Sequence, residues 1–269
     1  MMAAAHDTRR QSFVLSYRNV SRIGAVVLLL LCWQALTALV GAAVLPGPVK
    51  TVGVATEGII VEGWMLSNFV DTLAALLGSF LVAAGVGGGI GIVLGSRESL
   101  RAVFEPFLLN TYAVPKIILF PVFLFIFQFG IDQKIAFGAF HGIFPMAIIL
   151  MNAVREIPDI HRDVARSLQL SRWQNVRYVV LPSVLAPLIV GLRFAFNLSF
   201  LGVILSELFA ARSGLGLILQ NALGSVNRSH IMGVTFVIVV TALLVNFVFY
   251  GIQRYLEFNW GISVDEGGM

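Results

Sequence analysis

Six apolar runs, each about as long as a bilayer is thick, constrain what this chain can fold into more than any other feature. They lie at 23–44, 73–94, 108–129, 135–154, 185–205 and 232–252. A helix crosses hydrocarbon with about 20 apolar residues, and in lipid every backbone N–H and C=O must find a partner within the protein. Helices satisfy that demand segment by segment, so the expected class is an all-α integral membrane bundle. Composition agrees: 58% of the 269 residues are hydrophobic and 12% are charged. A soluble domain carries about 25% charged residues, so this chain lacks the means to cover a water-facing surface.

The third run contains Pro115 and Pro121 and is expected to kink or to enter through an interfacial turn. The segment 213–225 is apolar but too short to cross, and reads as a re-entrant or surface-lying piece before the last span. The first run is too long for a signal-peptide core and is read as a retained anchor. Twelve arginines fall on one side of the predicted spans (Arg9, Arg10, Arg18, Arg22, Arg97, Arg101, Arg155, Arg162, Arg166, Arg172, Arg177 and Arg254). Only four basic residues fall on the other: Lys50, Lys134, Arg212 and Arg228. By the positive-inside rule both termini and the connection at 155–182 face the cytoplasm. The expected layout is a cytoplasmic segment 1–22, a six-span domain 23–255 carrying that insert, and a cytoplasmic tail 256–269.

Several chemistries find no support. The single cysteine, Cys32, sits in an apolar run, and the four histidines (His6, His141, His161, His230) have no metal-ligand spacing, so no metal site is expected. Basic residues gather at membrane edges, which argues against nucleic acid as a partner. No Gly-x-x-x-x-Gly-Lys-Ser/Thr occurs, so this chain has no P-loop for ATP. Gly-x-Ser-x-Gly and His-Glu-x-x-His are also absent, which disfavours an intramembrane enzyme. A secondary transporter or channel remains the alternative class, although inverted repeats and rows of intramembrane ionisable groups are not visible.

The insert is polar and helix-prone. Ile160, Val164, Ala165 and Leu168 fall near one face of a short amphipathic helix, and Ser171 is placed to cap a second one, 172–180, ending at Pro182. Two short helices joined at an angle make a knob that fits a groove on another protein; a polar loop lying on the membrane is the plainer reading. Asp163-Val164-Ala165, then position 169, then Leu181-Pro182 resemble the "EAA" loop of permease subunits in ATP-binding-cassette importers. Leu170-Ser171-Arg172-Trp173 continues the likeness. Gln169 stands where that motif has glycine, so it must either adopt a left-handed turn at some cost or continue the helix, and an altered junction is expected.

The resemblance extends to Leu45-Pro46-Gly47-Pro48, Val114-Pro115-Lys116, Phe120-Pro121-Val122-Phe123, and Ser206-Glu207-Leu208 followed by Ser213-Gly214-Leu215-Gly216. These resemble nitrate, sulfonate and taurine permeases, in the same order along the chain. The likeness implies a type I importer bundle with cytoplasmic coupling helices. It implies two ATPase subunits that bind ATP and Mg, a second permease subunit (identical or paralogous) and an extracytoplasmic substrate-binding protein. This chain would itself hold no cofactor and would not be an enzyme. The coupling residues would be Asp163, Val164, Ala165, Leu168, Gln169, Leu170, Ser171 and Arg172.

Individual residues keep two readings. Lys116 and Arg193, at span edges, either attract an anionic solute or snorkel to the interface. Glu207 is a gate or a partner for one of them. Gln128 and Asn197 line a path or bond between helices. Gly85, Gly87, Gly89, Gly91 and Gly95, with Gly88, form small-xxx-small spacings on the second span and point to a close helix crossing.

Overall fold

A computed structural model describes residues 24–260 apart from Ala211. The segment 1–22 and the tail beyond residue 260 lie outside the described residues.

Every regular element described is helical. The chain runs through α1 (Gly24–Val40), α2 (Pro48–Thr56), α3 (Leu66–Val82), α4 (Gly88–Gly95), α5 (Glu98–Ala113) and α6 (Phe120–Phe127). It continues through α7 (Ile131–Arg155), α8 (Asp159–Ser167), α9 (Arg172–Asn175), α10 (Leu181–Ser183), α11 (Leu185–Ala210), α12 (Leu215–Gly224) and α13 (Arg228–Trp260). A single π-helical turn, Ala83–Gly87, joins α3 and α4 into one rod.

Four helices are long and apolar enough to span a membrane: Leu66–Gly95, Ile131–Arg155, Leu185–Ala210 and the Arg228–Leu256 part of α13. The predicted third span is instead a pair, Glu98–Ala113 and Lys116–Phe127, bent by 90°. Val114 is extended there, as a residue before proline prefers, and Pro121 sits in the first turn of α6, where its missing N–H costs nothing. The described part of the predicted first span is shorter than expected. Gly41 takes a left-handed φ of 90° and ends α1, and Trp33 Nε1 then donates to Pro46 O at 3.2 Å to hold the chain folded back. The six expected spans are therefore four full helices, one broken pair and one shorter apolar helix.

Helix α7 is the hub. Water does not drive helices together in lipid, so close approach of backbones must supply the attraction. Small residues on both sides of α7 permit it. A Cβ added to Gly87, Gly91 or Gly95 would stand 2.6 Å from the carbonyl oxygen of Ile143, Ala147 or Met151, respectively, one turn apart along α7. On the α11 side, a Cβ on Gly142 would meet Ala195 O at 2.7 Å, and one on Gly202 would meet the Cα of Gly138 at 2.9 Å. Gly85 and Gly89, expected in the same crossing, face open space. The π-helical turn and the 3.6-residue period put them on the opposite side of the rod.

Aromatic rings complete the packing. Phe80, Phe196 and Phe249 join α3, α11 and α13, with ring centroids 5.8, 5.9 and 6.2 Å apart. Phe120 and Phe123 set α6 edge-on against Phe137 of α7, at 5.1 and 5.3 Å. Large apolar side chains on the outer faces, such as Leu39, Phe125 and Phe247, are exposed, as a lipid-facing surface requires.

Replacing Gly91 with valine should therefore open the α4–α7 crossing and lower stability by about 1–3 kcal/mol or more. Gly89→Ala, whose added methyl points into open space on a helix, should leave the unfolding temperature of the purified chain unchanged or raise it by a few degrees. Thermal unfolding of both variants in detergent separates the two faces of the rod.

Candidate functional site

The two ends of the bundle carry different chemistry. At one end lie Ser96, the end of α7 and the insert; at the other lie the start of α7, the end of α11 and the start of α12.

At the first end, α8 closes with a six-residue backbone loop. Leu170 N–H donates to Ala165 O at 3.1 Å, Gln169 N–H donates to Arg166 O at 3.0 Å, and Gln169 has φ 51°. This is the left-handed helix stop that glycine usually provides. Gln169 thus makes the turn, and the altered junction expected for it does not occur: two backbone hydrogen bonds outweigh the cost of a left-handed non-glycine residue. Ser171 then opens α9 as a reciprocal cap. Its hydroxyl accepts from Gln174 N–H at 3.3 Å, and its own N–H donates to Gln174 Oε1 at 2.8 Å. Pro182 does not end the second helix as expected. The π-helical turn Val176–Val180 widens the backbone before it, and Pro182 enters α10 in the first turn.

The faces of α8 divide sharply. Ile160, Val164 and Leu168, spaced by four, are all exposed, and Trp173 and Tyr178 extend the apolar surface. Ala165 is turned the other way: it is 7% exposed and lines a cavity of about 520 Å³ between insert and bundle, with Ser96, Val154, Gln169 and Val180. It therefore does not share the outer face on which it was placed with Val164 and Leu168, because one residue along a helix is a turn of 100°. Asp163 is exposed and pairs with Arg166 at 3.2 Å, a surface bridge of small energetic weight. Leu170 lines the same cavity as Ala165. Arg172 opens α9. Beneath the knob, Val154, Ile157, Val180 and Val184 form a buried cluster that joins the ends of α7 and α11 to the insert.

At the opposite end, Glu207 is fully buried. Its carboxylate accepts from Lys134 Nζ at 3.0 Å, from the Thr72 hydroxyl at 2.9 Å and from Gly216 N–H at 3.0 Å. Lys134 also donates to Ser213 O at 2.7 Å. Thr72 Oγ1 accepts from Leu215 N–H at 2.9 Å, and Asn68 Oδ1 accepts from Gly214 N–H at 2.7 Å. Gly214 has φ 111°, and a Cβ on Gly214 or Gly216 would collide with Glu207. This is why the acid needs glycines a short way downstream: their backbone wraps the carboxylate. Glu207, expected to gate a path or to pair with Lys116 or Arg193, instead latches the 213–216 turn to α3, α7 and α11 through Lys134.

The remaining candidates separate as well. Asn197 and Asn246 exchange hydrogen bonds (2.7 and 3.1 Å), and Arg193 Nε donates to the same Asn246 Oδ1 at 3.1 Å, tying α11 to α13. Gln128 is exposed, with φ 60°, and ends α6. Lys116 is nearly buried. It donates to Tyr112 O at 2.9 Å and lines a cavity of about 460 Å³ with His141. The five residues expected along one path therefore occupy four separate places, and Lys116 borders a cavity. Sequence reasoning missed Lys134, Thr72, Asn246 and His141 as interior groups. The partners of Lys134, Thr72 and Asn246 lie 49 to 135 positions away, so no local spacing marks them, while His141 bonds within its own helix to Phe137 O. Among the described residues, no three His, Cys, Asp or Glu side chains are grouped to hold a metal.

The described chain is an all-helical bundle organised on one hub helix, with a polar two-helix knob at one end. Residues 87–261 match the family described as binding-protein-dependent transport system inner membrane component, and the chain belongs to that family. It is 31% identical over 193 residues to the aliphatic sulfonates transport permease protein SsuC of Bacillus subtilis, covering 71% of this chain and 69% of that one. It is 29% identical over 200 residues to the nitrate import permease protein NrtB of Synechococcus elongatus, covering 71% of each. It is 27% identical to the taurine transport system permease protein TauC of Escherichia coli over 90% of each chain. The fold is shared with a chain of the MetNI methionine ABC transporter in an inward-facing conformation, at TM-score 0.64 and 21% identity over 72% of this chain and 97% of that one.

Two outcomes follow from the geometry. Lys134→Met alone should cost about 3–5 kcal/mol by leaving Glu207 buried without its counter-charge, and adding Glu207→Gln should recover part of that loss. Denaturant unfolding of both variants in micelles measures the difference. Gln169→Gly should raise the unfolding temperature, since it removes a left-handed penalty of about 1 kcal/mol, whereas Gln169→Val should lower it.

Proposed function

We propose that this chain is the permease subunit of an ATP-driven importer, with the 155–182 insert as the element that couples it to a separate ATPase. The supporting observation is the exposed stripe Ile160, Val164, Leu168 on an otherwise polar helix, extended by Trp173. An apolar stripe held out from the bundle by its own caps suits the groove of a soluble partner, helix in groove. The buried cluster Val154, Ile157, Val180 and Val184 gives the coupling a mechanical basis, because any displacement of the knob is passed to the ends of α7 and α11.

The assembly this reading calls for has two permease subunits, identical or paralogous, and two ATPases that bind ATP and Mg at their own sites. An extracytoplasmic binding protein delivers solute. The insert and Ser96 share one end of the bundle, and Lys50, Lys134, Arg212 and Arg228 belong to the other, so the arginine bias favours an inner-membrane orientation with both termini cytoplasmic. The layout 1–22, 23–255 and 256–269 follows from that orientation. The solute is a small anion or organic acid, such as nitrate, bicarbonate, an alkanesulfonate or taurine, in keeping with the named relatives.

Val164→Asp or Leu168→Asp should reduce co-purification of the ATPase at least about tenfold without altering the unfolding temperature of the permease, since both side chains are exposed. A wild-type chain that retains no ATPase and moves solute into vesicles without ATP would replace the importer reading with a secondary transporter.

A further inference from the structure

Lys116 is a buried cation with no carboxylate within ion-pair distance among the described residues. A lone ammonium at membrane depth is costly unless something compensates it. Part of the compensation is internal. The helix break at Pro115 leaves the last carbonyls of α5 free, and Lys116 Nζ donates to Tyr112 O at 2.9 Å while lying over the rings of Tyr112 and Phe144, at 4.7 and 5.4 Å. One hydrogen bond and two ring faces use only part of an ammonium with three donors.

His141 lines the same cavity. Its Nδ1 lies 2.9 Å from Phe137 O, and since a carbonyl only accepts, Nδ1 carries the proton and Nε2 is the nitrogen left over. The remaining walls are Leu198, Leu201 and Leu205 of α11 with Ile117. Lys116 and His141 thus share a chamber of about 460 Å³ whose other walls are aromatic and aliphatic, and which opens at the surface of the chain. No acidic residue lines it.

We propose that Lys116 forms an oxyanion subsite in the translocation path: its ammonium takes the charged head of a small solute, and the apolar part rests on Leu198, Leu201 and Leu205. His141 Nε2, which carries a lone pair, accepts from the Lys116 ammonium or from an N–H or O–H of the solute. The subsite rests on the importer reading for its place in transport, though not for its chemistry. The bent α5–α6 junction serves it directly: an unbroken helix would have its carbonyls paired and would hold Lys116 away from α7. An anionic lipid headgroup offers similar chemistry, so the test must tell the two sources apart.

The chain has three lysines, Lys50, Lys116 and Lys134, so reductive methylation followed by peptide mass spectrometry reads each separately. Lys50 is exposed and serves as the internal reference. In phosphatidylcholine nanodiscs, millimolar ethanesulfonate or nitrate should slow methylation of Lys116 about tenfold relative to Lys50, and ethyl methyl sulfone should not. In the assembled transporter, Lys116→Met should abolish uptake of ethanesulfonate or nitrate while Lys116→Arg retains it. No anion-dependent protection, or protection by phosphatidylglycerol discs alone, would overturn the proposal. Co-purification of the ATPase in the same samples reports the importer reading independently, so loss of protection with the ATPase still bound removes the subsite and leaves the importer.

Discussion

Close backbone approach along α7 is the constraint on which the rest of the structure depends. In lipid, burying apolar side chains gains little, because the hydrocarbon is as apolar as leucine. Dispersion between tightly apposed backbones supplies the attraction instead, and it falls away steeply with separation. Three glycines on the α3–α4 rod seat on successive carbonyls of α7, and Gly138, Gly142 and Gly202 bring α11 equally near from another side. With α7 fixed between two neighbours, both its ends have defined positions, and those ends carry the polar chemistry.

The ends are built on contrasting principles. At one, Glu207 and Lys134 are removed from solvent and satisfied by a hydroxyl and by the backbone of the 213–216 turn, which welds four elements together. A buried pair of this kind is weak evidence for added stability but strong evidence for a unique arrangement, since neither charge tolerates losing its partner there. At the other end, the insert is held by caps and by a small aliphatic cluster, and it turns its apolar stripe outward. One end is locked and the other leaves an apolar stripe exposed, the asymmetry that the proposed coupling to a partner on one side of the membrane calls for.

The departures from expectation have physical causes that can be traced to particular residues. Gln169 replaces a glycine, yet the turn forms, because the hydrogen bonds from Leu170 and Gln169 hold a conformation that the side chain alone disfavours. Ala165 belongs by sequence to the same amphipathic segment as Val164, yet it faces inward, because the bundle that it packs against is formed by residues distant in the chain. The kink at Pro115 was legible locally; that it becomes a right-angle bend placing Lys116 over two aromatic rings depended on α7 lying beneath it.

The sequence by itself determined the solvent, the helical class, the approximate spans, the polar insert and its motif, because each follows from runs, periods or spacings within about thirty residues. Only the tertiary structure decided which polar residues meet. Lys134 with Glu207 and Asn197 with Asn246 are pairings between different helices, and Lys116 and His141 come to line one cavity from different helices. Helical periodicity tells which face a residue occupies along its own axis, but not the depth or rotation at which another helix presents its face. Those are set by where glycines let backbones touch.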